Sequence, residues 1–285
     1  MRTRPRGLCG AVCIPAPDLA LGPLRCNAYR FFGAAGFVAA TATGLLLTSA
    51  QHLPLRPALL LALIAALVFL LLVAATKVVA GTEYIVYFHH EVAILASGAT
   101  LLWALGVPAL PYLDITAIAV LVFLGFGRAG CLIVGCCHGR PAPFGVCYGT
   151  RHVAAGFPAQ LAGVTLAPVQ SLESITAFAL AGFGAHLALV STPGSALEWC
   201  LLAYGATRFF LLEPLRGDRR PSLFGLSHAQ WVAAVRAAAM LVAMGTGMLA
   251  VEARSLPLAA APCLALAARV GGLRLVGGRR EPRPL

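Results

Sequence analysis

The sequence predicts an all-α, polytopic integral membrane protein with about seven transmembrane helices, and three observations carry that expectation. Of 285 residues, 60% are hydrophobic and only 11% charged, whereas soluble domains carry about a quarter charged residues. A chain of this length cannot enclose so much apolar surface when it folds in water. The apolar residues also fall into repeated runs near the length of about 20 that a helix needs to cross a bilayer core. The same hydrophobicity excludes a disordered chain.

Taken in order, the runs are Phe31 to Ala50, Ala58 to Ala75, Ile85 to Val107, Ile115 to about Gly127, Leu172 to Val190, Ala196 to Leu212 and Ala229 to Val251. They define one membrane domain over residues 31–251. Residues 1–30 form a basic amino-terminal segment whose prolines interrupt any apolar core, so the first span rather than a cleavable signal peptide is the expected targeting element. Residues 252–285 form a basic tail in which Leu256 to Ala268 is short and holds Pro257 and Pro262, as expected of an interfacial segment. The longest polar connection, 128–168, contains Gly-Arg-Pro and Pro-Phe-Gly turns and is expected to be irregular. Irregular backbone at membrane depth is tolerated where it is packed in protein or lines a wet cavity.

The net charge is +11, from 21 basic and 10 acidic residues. The arginines stand between apolar runs or at the ends, without the aromatic interleaving of a nucleic-acid surface. Anionic lipid is the expected partner, and nucleic acid is not.

Few charges lie within the runs, and each is expensive there. Arg128 follows directly on an apolar run, and Arg208 lies inside one, with Tyr204 one turn before it. Two guanidiniums suit one phosphate because each presents a planar fork of donors. Snorkelling to headgroups or pairing with a structural acid is the alternative for each. His89, His90 and Glu91 open the third run. An imidazole there can serve as a general base, or the pair can simply be interfacial. Asp114 reads as an N-cap or first-turn acid and Glu173 as an acid favoured by a helix N-terminus. Glu213 and Arg216, at i and i+3, read as an ion pair.

Nine cysteines are present, and Cys131, Cys136, Cys137 and Cys147 fall close together beside His138. Thiolate and imidazole suit zinc, but adjacent cysteines seldom chelate one ion, so no metal is expected. A disulfide, a redox role, a nucleophilic thiol or plain packing stay open for the cluster. Cys9, Cys13, Cys26, Cys200 and Cys263 are dispersed and read as small hydrophobes.

An ordered series of motifs resembles the prolipoprotein diacylglyceryl transferase family. It runs through Leu21-Gly-Pro with Tyr29, Phe88-His89, Asp114, Gly127-Arg-Ala-Gly130 and Gly135 to Gly139-Arg-Pro141. It continues with Pro168-Val-Gln170 and Glu173, Tyr204 with Arg208, Leu215-Arg-Gly-Asp218, and Gly225-Leu-Ser-His-Ala-Gln230. The resemblance implies a multi-pass protein of the bacterial cytoplasmic (inner) membrane whose site opens to the periplasmic face. It implies transfer of a diacylglyceryl group from phosphatidylglycerol to the lipobox cysteine thiol of a prolipoprotein, with release of glycerol phosphate and no cofactor. Carried over by position, Arg128 and Arg208 would hold the phosphate and His89 would take the thiol proton. Tyr29, Asp114, Gly139, Arg140, Gln170, Glu173, Tyr204 and Glu213 would bind or support the substrate.

The chain departs from the family pattern at Cys131, which stands where the resemblance implies asparagine, at Cys136 for a glutamate, and at Ala167 for a histidine. The step from Arg208 to Glu213 is one residue longer than the pattern, which in a regular α-helix turns Glu213 off the arginine's face. A diverged phospholipid-group transferase using the cysteines, or a non-enzymatic anionic-lipid binder, are the competing readings. Loop charge alone places the site face in the cytoplasm. Setting aside Arg128, Arg140, Arg208 and Arg216 as site residues brings the two sides close to balance.

Overall fold

The structure is a computed structural model and describes residues 10–21, 24–81, 87–217, 222–247 and 253–277. Along the chain come strands β1 (Ala11–Ile14), β2 (Asp18–Leu21) and β3 (Leu24–Asn27), then helices α1 (Ala28–Ala50), α2 (Leu55–Ala80), α3 (Tyr87–Ala104) and α4 (Ala109–Val134). Strand β4 (Pro141–Tyr148), the short helix α5 (Thr150–Ala154), α6 (Val169–Val190) and α7 (Ser195–Thr207) follow. A π-helical turn (Arg208–Leu212) leads into the single turn α8 (Glu213–Leu215), then β5 (Ser222–Leu223), β6 (Leu226–Ser227), α9 (His228–Gly245) and α10 (Ser255–Gly277).

Four helices are long and apolar enough to cross a membrane among the described residues: Ala28–Ala50, Leu55–Val79, Ala109–Val134 and Val169–Val190. The third, sixth and seventh expected spans are also helical, as α3, as α7 with the π turn, and as α9. Of these, α7 is too short for that standard at 13 residues, while α3 carries His89-His90-Glu91 and α9 carries Arg236 within their apolar stretches. The first residues of the third run, Ile85 and Val86, lie outside the described residues, as do Val251 and Asp218. Leu256 to Ala268, expected as a short interfacial piece, lies within a longer helix, α10, that runs through Pro262.

Backbone contacts divide the chain into two compact units, Met1–Cys200 with Leu215–Asp218, and Leu201–Pro214 with Arg219–Leu285. In the first, α1 and α6 flank α4, whose residues from Tyr112 to Ile118 are all buried. Close approach depends on missing side chains: a Cβ on Gly125 of α4 would come 2.7 Å from the ring of Phe178 on α6. Leu59, Leu63, Leu67 and Leu70 of α2 stay about half exposed or more, the surface expected against lipid acyl chains. In the second unit Leu202 packs with Ala237 and Met244 of α9 and Ala259 of α10.

Three two-stranded sheets modify the all-α expectation. β1 pairs in parallel with β4, and Cys13 lies opposite Cys147. The two cysteines form a disulfide. This corrects both earlier assignments, since Cys13 is no mere hydrophobe and Cys147 belongs to the bridge rather than to the cluster of Cys131, Cys136 and Cys137.

Candidate functional site

Arg128 was expected at the start of an irregular loop, yet α4 continues as helix to Val134. The helix ends at Gly135, in the left-handed conformation at φ 84°, whose N–H donates to the Cys131 carbonyl at 2.9 Å. Its last carbonyls need partners in a setting with little water. The Tyr148 hydroxyl donates to Leu132 O at 2.9 Å, and His152 Nε2 stands 2.9 Å from Ile133 O. That carbonyl can only accept, which assigns the His152 proton to Nε2. Burial raises the Tyr148 hydroxyl pKa above its ordinary value, so it remains a donor. Sequence reasoning missed both residues; their only signal is polarity at the edges of an apolar stretch.

Beyond α4 the chain turns back as a backbone braid. Arg140 N–H donates to Leu215 O at 3.0 Å, Gly217 N–H to His138 O at 3.0 Å, and Ala167 N–H to Arg140 O at 2.9 Å. Gly139 lies in the middle, where a Cβ would collide with the Ala167 carbonyl oxygen. The Gly-Arg-Pro motif thus serves first to let three chain segments touch. The Arg140 side chain is exposed.

This braid fixes Arg216 over the head of α6. Glu173 there is fully buried, and its Oε2 takes Arg128 Nε at 2.9 Å and Arg216 Nη1 at 3.5 Å. Arg216 was expected to pair with Glu213; the structure gives it to Glu173 instead. Two guanidiniums about one carboxylate oxygen form a trio with a net positive charge, Glu173 and Arg216 buried and Arg128 12% exposed, at the end of the bundle where α1 begins. Gly130, two residues after Arg128, leaves room for α1, since a Cβ on it would come 3.2 Å from the Tyr29 Cα.

At the C-terminal end of α4 and in the turn after it, the sulfurs of Cys131, Cys136 and Cys137 lie within 4.8 Å of one another. Hydrogen bonds from Cys131 and Cys136, and then the guanidiniums of Arg128 and Arg216, hold the Cys137 thiol pKa below its ordinary value, against burial. Gln170 is buried, and its Nε2 donates to Cys136 O at 2.9 Å. Its Oε1 is buried without a hydrogen-bond partner among the described residues. A cavity of about 250 Å³ lies beside Cys136, Cys137 and Phe157.

Other candidates go elsewhere. Asp114 lies 14 residues before Arg128 on α4, a rise of about 21 Å. It accepts Gly194 N–H at 2.7 Å and Leu197 N–H at 2.6 Å, so it caps the N-terminus of α7 rather than its own helix. His89 is exposed on α3, whereas His90 is buried against Phe69 with ring centroids 5.0 Å apart, and Glu91 accepts the Tyr87 hydroxyl at 2.7 Å. His138 is buried with Nδ1 3.0 Å from the Gly139 carbonyl oxygen.

The second unit holds Tyr204, Arg208 and Glu213. Tyr204 is fully buried and Arg208 is 4% exposed. Glu213 was expected to turn away from Arg208, but Arg208 Nη2 lies 3.3 Å from its Oε2. The π turn is the reason: Glu213 N–H bonds the Arg208 carbonyl, so residues five apart share a face. In this register the Phe209 carbonyl would await an N–H from Pro214, which has none. Gln230 Nε2 donates to it instead at 3.1 Å. The Gln230 Oε1 accepts Ser227 N–H at 3.0 Å while Ser227 Oγ caps Gln230 N–H, so one side chain closes a capping box and the π turn together.

A family model described as prolipoprotein diacylglyceryl transferase matches residues 18–246 of the chain. The chain is 32% identical over 126 residues to a phosphatidylglycerol–prolipoprotein diacylglyceryl transferase of Clostridium tetani, which covers 43% of this chain and 48% of the relative. It is 37% identical over 112 residues to phosphatidylglycerol–prolipoprotein diacylglyceryl transferase 2 of Clostridium perfringens, covering 38% and 41%. The matched region therefore spans about half the length of these relatives or less.

Proposed function

This chain belongs to the prolipoprotein diacylglyceryl transferase family, and from that premise we propose that it moves a diacylglyceryl group from phosphatidylglycerol to the lipobox cysteine of a prolipoprotein. The observation that carries the reading is the Arg128–Glu173–Arg216 trio, closed over a fully buried carboxylate with Arg128 partly exposed. Its net positive charge at the end of a membrane bundle suits a lipid phosphate, which guanidinium pairs bind in bidentate fashion.

The chemistry is a displacement at carbon. A thiolate attacks the glyceryl carbon, the carbon–oxygen bond to phosphate breaks, and the electron pair leaves with glycerol phosphate. Donors aimed at the departing phosphate lower the barrier most, because charge develops there. Arg128 has this role, with Arg216 helping to hold the field and Glu173 fixing both guanidiniums. Arg208, braced by Glu213, is the second phosphate ligand, and His89 is the base for the acceptor thiol. Tyr29, Gly139, Arg140, Gln170 and Tyr204 shape and support the site. Asp114 acts by anchoring α7. The Cys13–Cys147 bridge supports a periplasmic orientation for the face that holds β4, since such bonds persist in oxidising compartments.

The test is direct. Purified protein in phosphatidylglycerol vesicles, given a lipobox peptide, yields a thioether-linked diacylglyceryl peptide detected by mass spectrometry. Arg128→Ala lowers the rate by about 100-fold or more, the scale for losing one transition-state donor. Retained lipid binding with no product in wild type, beside a working control enzyme, identifies a binder and refutes the transfer.

A further inference from the structure

Neither phosphate binding nor thiol deprotonation uses the three sulfurs of Cys131, Cys136 and Cys137. They are not scattered. All three lie within 4.8 Å of one another, and sulfurs set at about 2.3 Å around a flat three-coordinate ion stand about 4.0 Å apart. Closure of the site needs shifts of well under 1 Å per sulfur.

The backbone explains how neighbours in sequence can converge. Adjacent cysteines in a helix or strand point apart, which is the physical reason to expect no shared ion. Here α4 stops at Cys131's own turn, Gly135 is left-handed at φ 84°, and Cys137 is left-handed at φ 53°. A non-glycine residue held there costs about 1–2 kcal/mol, and such conformations gather at functional sites. Gln170 pins the intervening turn through the Cys136 carbonyl. Cys131 itself stands on the rigid last turns of a membrane helix.

We propose that Cys131, Cys136 and Cys137 form a three-coordinate thiolate site for a soft monovalent cation, Cu(I). The ligand set selects the metal. An all-sulfur set favours soft ions, and zinc prefers four ligands, which the described residues do not supply. The ligand atoms that converge here among the described residues are the three sulfurs, without His138, and the Glu173 carboxylate is taken by Arg128 and Arg216. Charge agrees: three thiolates around Cu(I) carry two negative charges, and Arg128 lies one turn before Cys131 on the same helix. Binding transfers no electron. Three S–H protons pass to solvent and three Cu–S bonds form. The cavity beside Cys136 and Cys137 gives the ion a way in.

The experiment uses the full chain in detergent, under anaerobic conditions with ascorbate, titrated with Cu(I) held by bicinchoninate. The expected result is one Cu(I) withdrawn per chain, with X-ray absorption reporting three sulfur neighbours at about 2.3 Å. Cys131→Ser and Cys137→Ser each weaken Cu(I) binding by at least about 100-fold, the upper end for losing even an outer partner of a metal site. Cys200→Ser, which removes a thiol elsewhere, leaves affinity unchanged. Nitrogen or two-sulfur coordination in the wild type overturns the proposal without any variant. So does copper uptake that ignores Cys131 and Cys137, displacement of Cu(I) by equimolar Zn(II), or recovery of the trio as an internal disulfide that takes up no Cu(I).

Discussion

Glu173 illustrates how much depends on single side chains in a molecule with so few charges. Its carboxylate compensates two guanidiniums at 0% exposure, and removing one member of a buried ion group costs about 3–5 kcal/mol. Glu173→Gln is therefore expected to lower the midpoint of thermal unfolding sharply in detergent, whereas the exposed Arg140→Gln leaves it unchanged within error. His152 works at the same scale. His152→Leu withdraws the partner of the Ile133 carbonyl, a loss of about 1–3 kcal/mol when the acceptor is buried, and it should raise hydrogen exchange in the last turn of α4. The arginines, Glu173 and the cysteines were legible in the sequence because charge and thiol clusters are rare among apolar runs. Tyr148 and His152 were not, since the carbonyls they serve become visible only when a helix end is located in space.

Among the elements, the π turn after α7 is the most informative. Against the family pattern the interval from Arg208 to Glu213 is longer by one residue, and a regular α-helix would have separated the two. A wider turn absorbs the residue and brings them within 3.3 Å. Pro214 leaves the Phe209 carbonyl without a backbone partner, and Gln230 replaces it. Gln230→Leu should then cost about 2 kcal/mol through the orphaned carbonyl and the broken capping box. Circular dichroism with heating measures the loss, and Gln230→Glu, which keeps the cap acceptor but loses the amide donor, should recover only part of it. At this scale the sequence predicted helices well and their interruptions poorly. Hydropathy locates apolar runs, but a helix such as α4 continues past Arg128 because its end is set by Gly135 and the residues that cap it.

For the whole molecule, the disulfide between β1 and β4 ties the amino-terminal segment to the loop that follows α4. Closing so long a loop restricts the unfolded chain and contributes about 4–5 kcal/mol in the chain-entropy view. Unreduced protein digested for mass spectrometry should yield a linked pair of peptides carrying Cys13 and Cys147. In intact cells treated with a reductant, an impermeant maleimide should label Cys147 from the outside. Labelling only after permeabilisation would reverse the proposed orientation, in which charge counting and the bridge point in opposite directions.

The sequence by itself determined that this chain lives in lipid, that its helices follow the apolar runs, and which few charges deserve a functional reading. It did so because hydropathy and the cost of charge in a bilayer act residue by residue. Tertiary structure alone decided the partners. It gave Arg216 to Glu173 rather than Glu213, Asp114 to the head of α7, Cys147 to Cys13, and three neighbouring thiols to one another. Pairing depends on where distant segments meet, and the close passage of backbone at Gly139 and the left-handed turns at Gly135 and Cys137 fix those meetings.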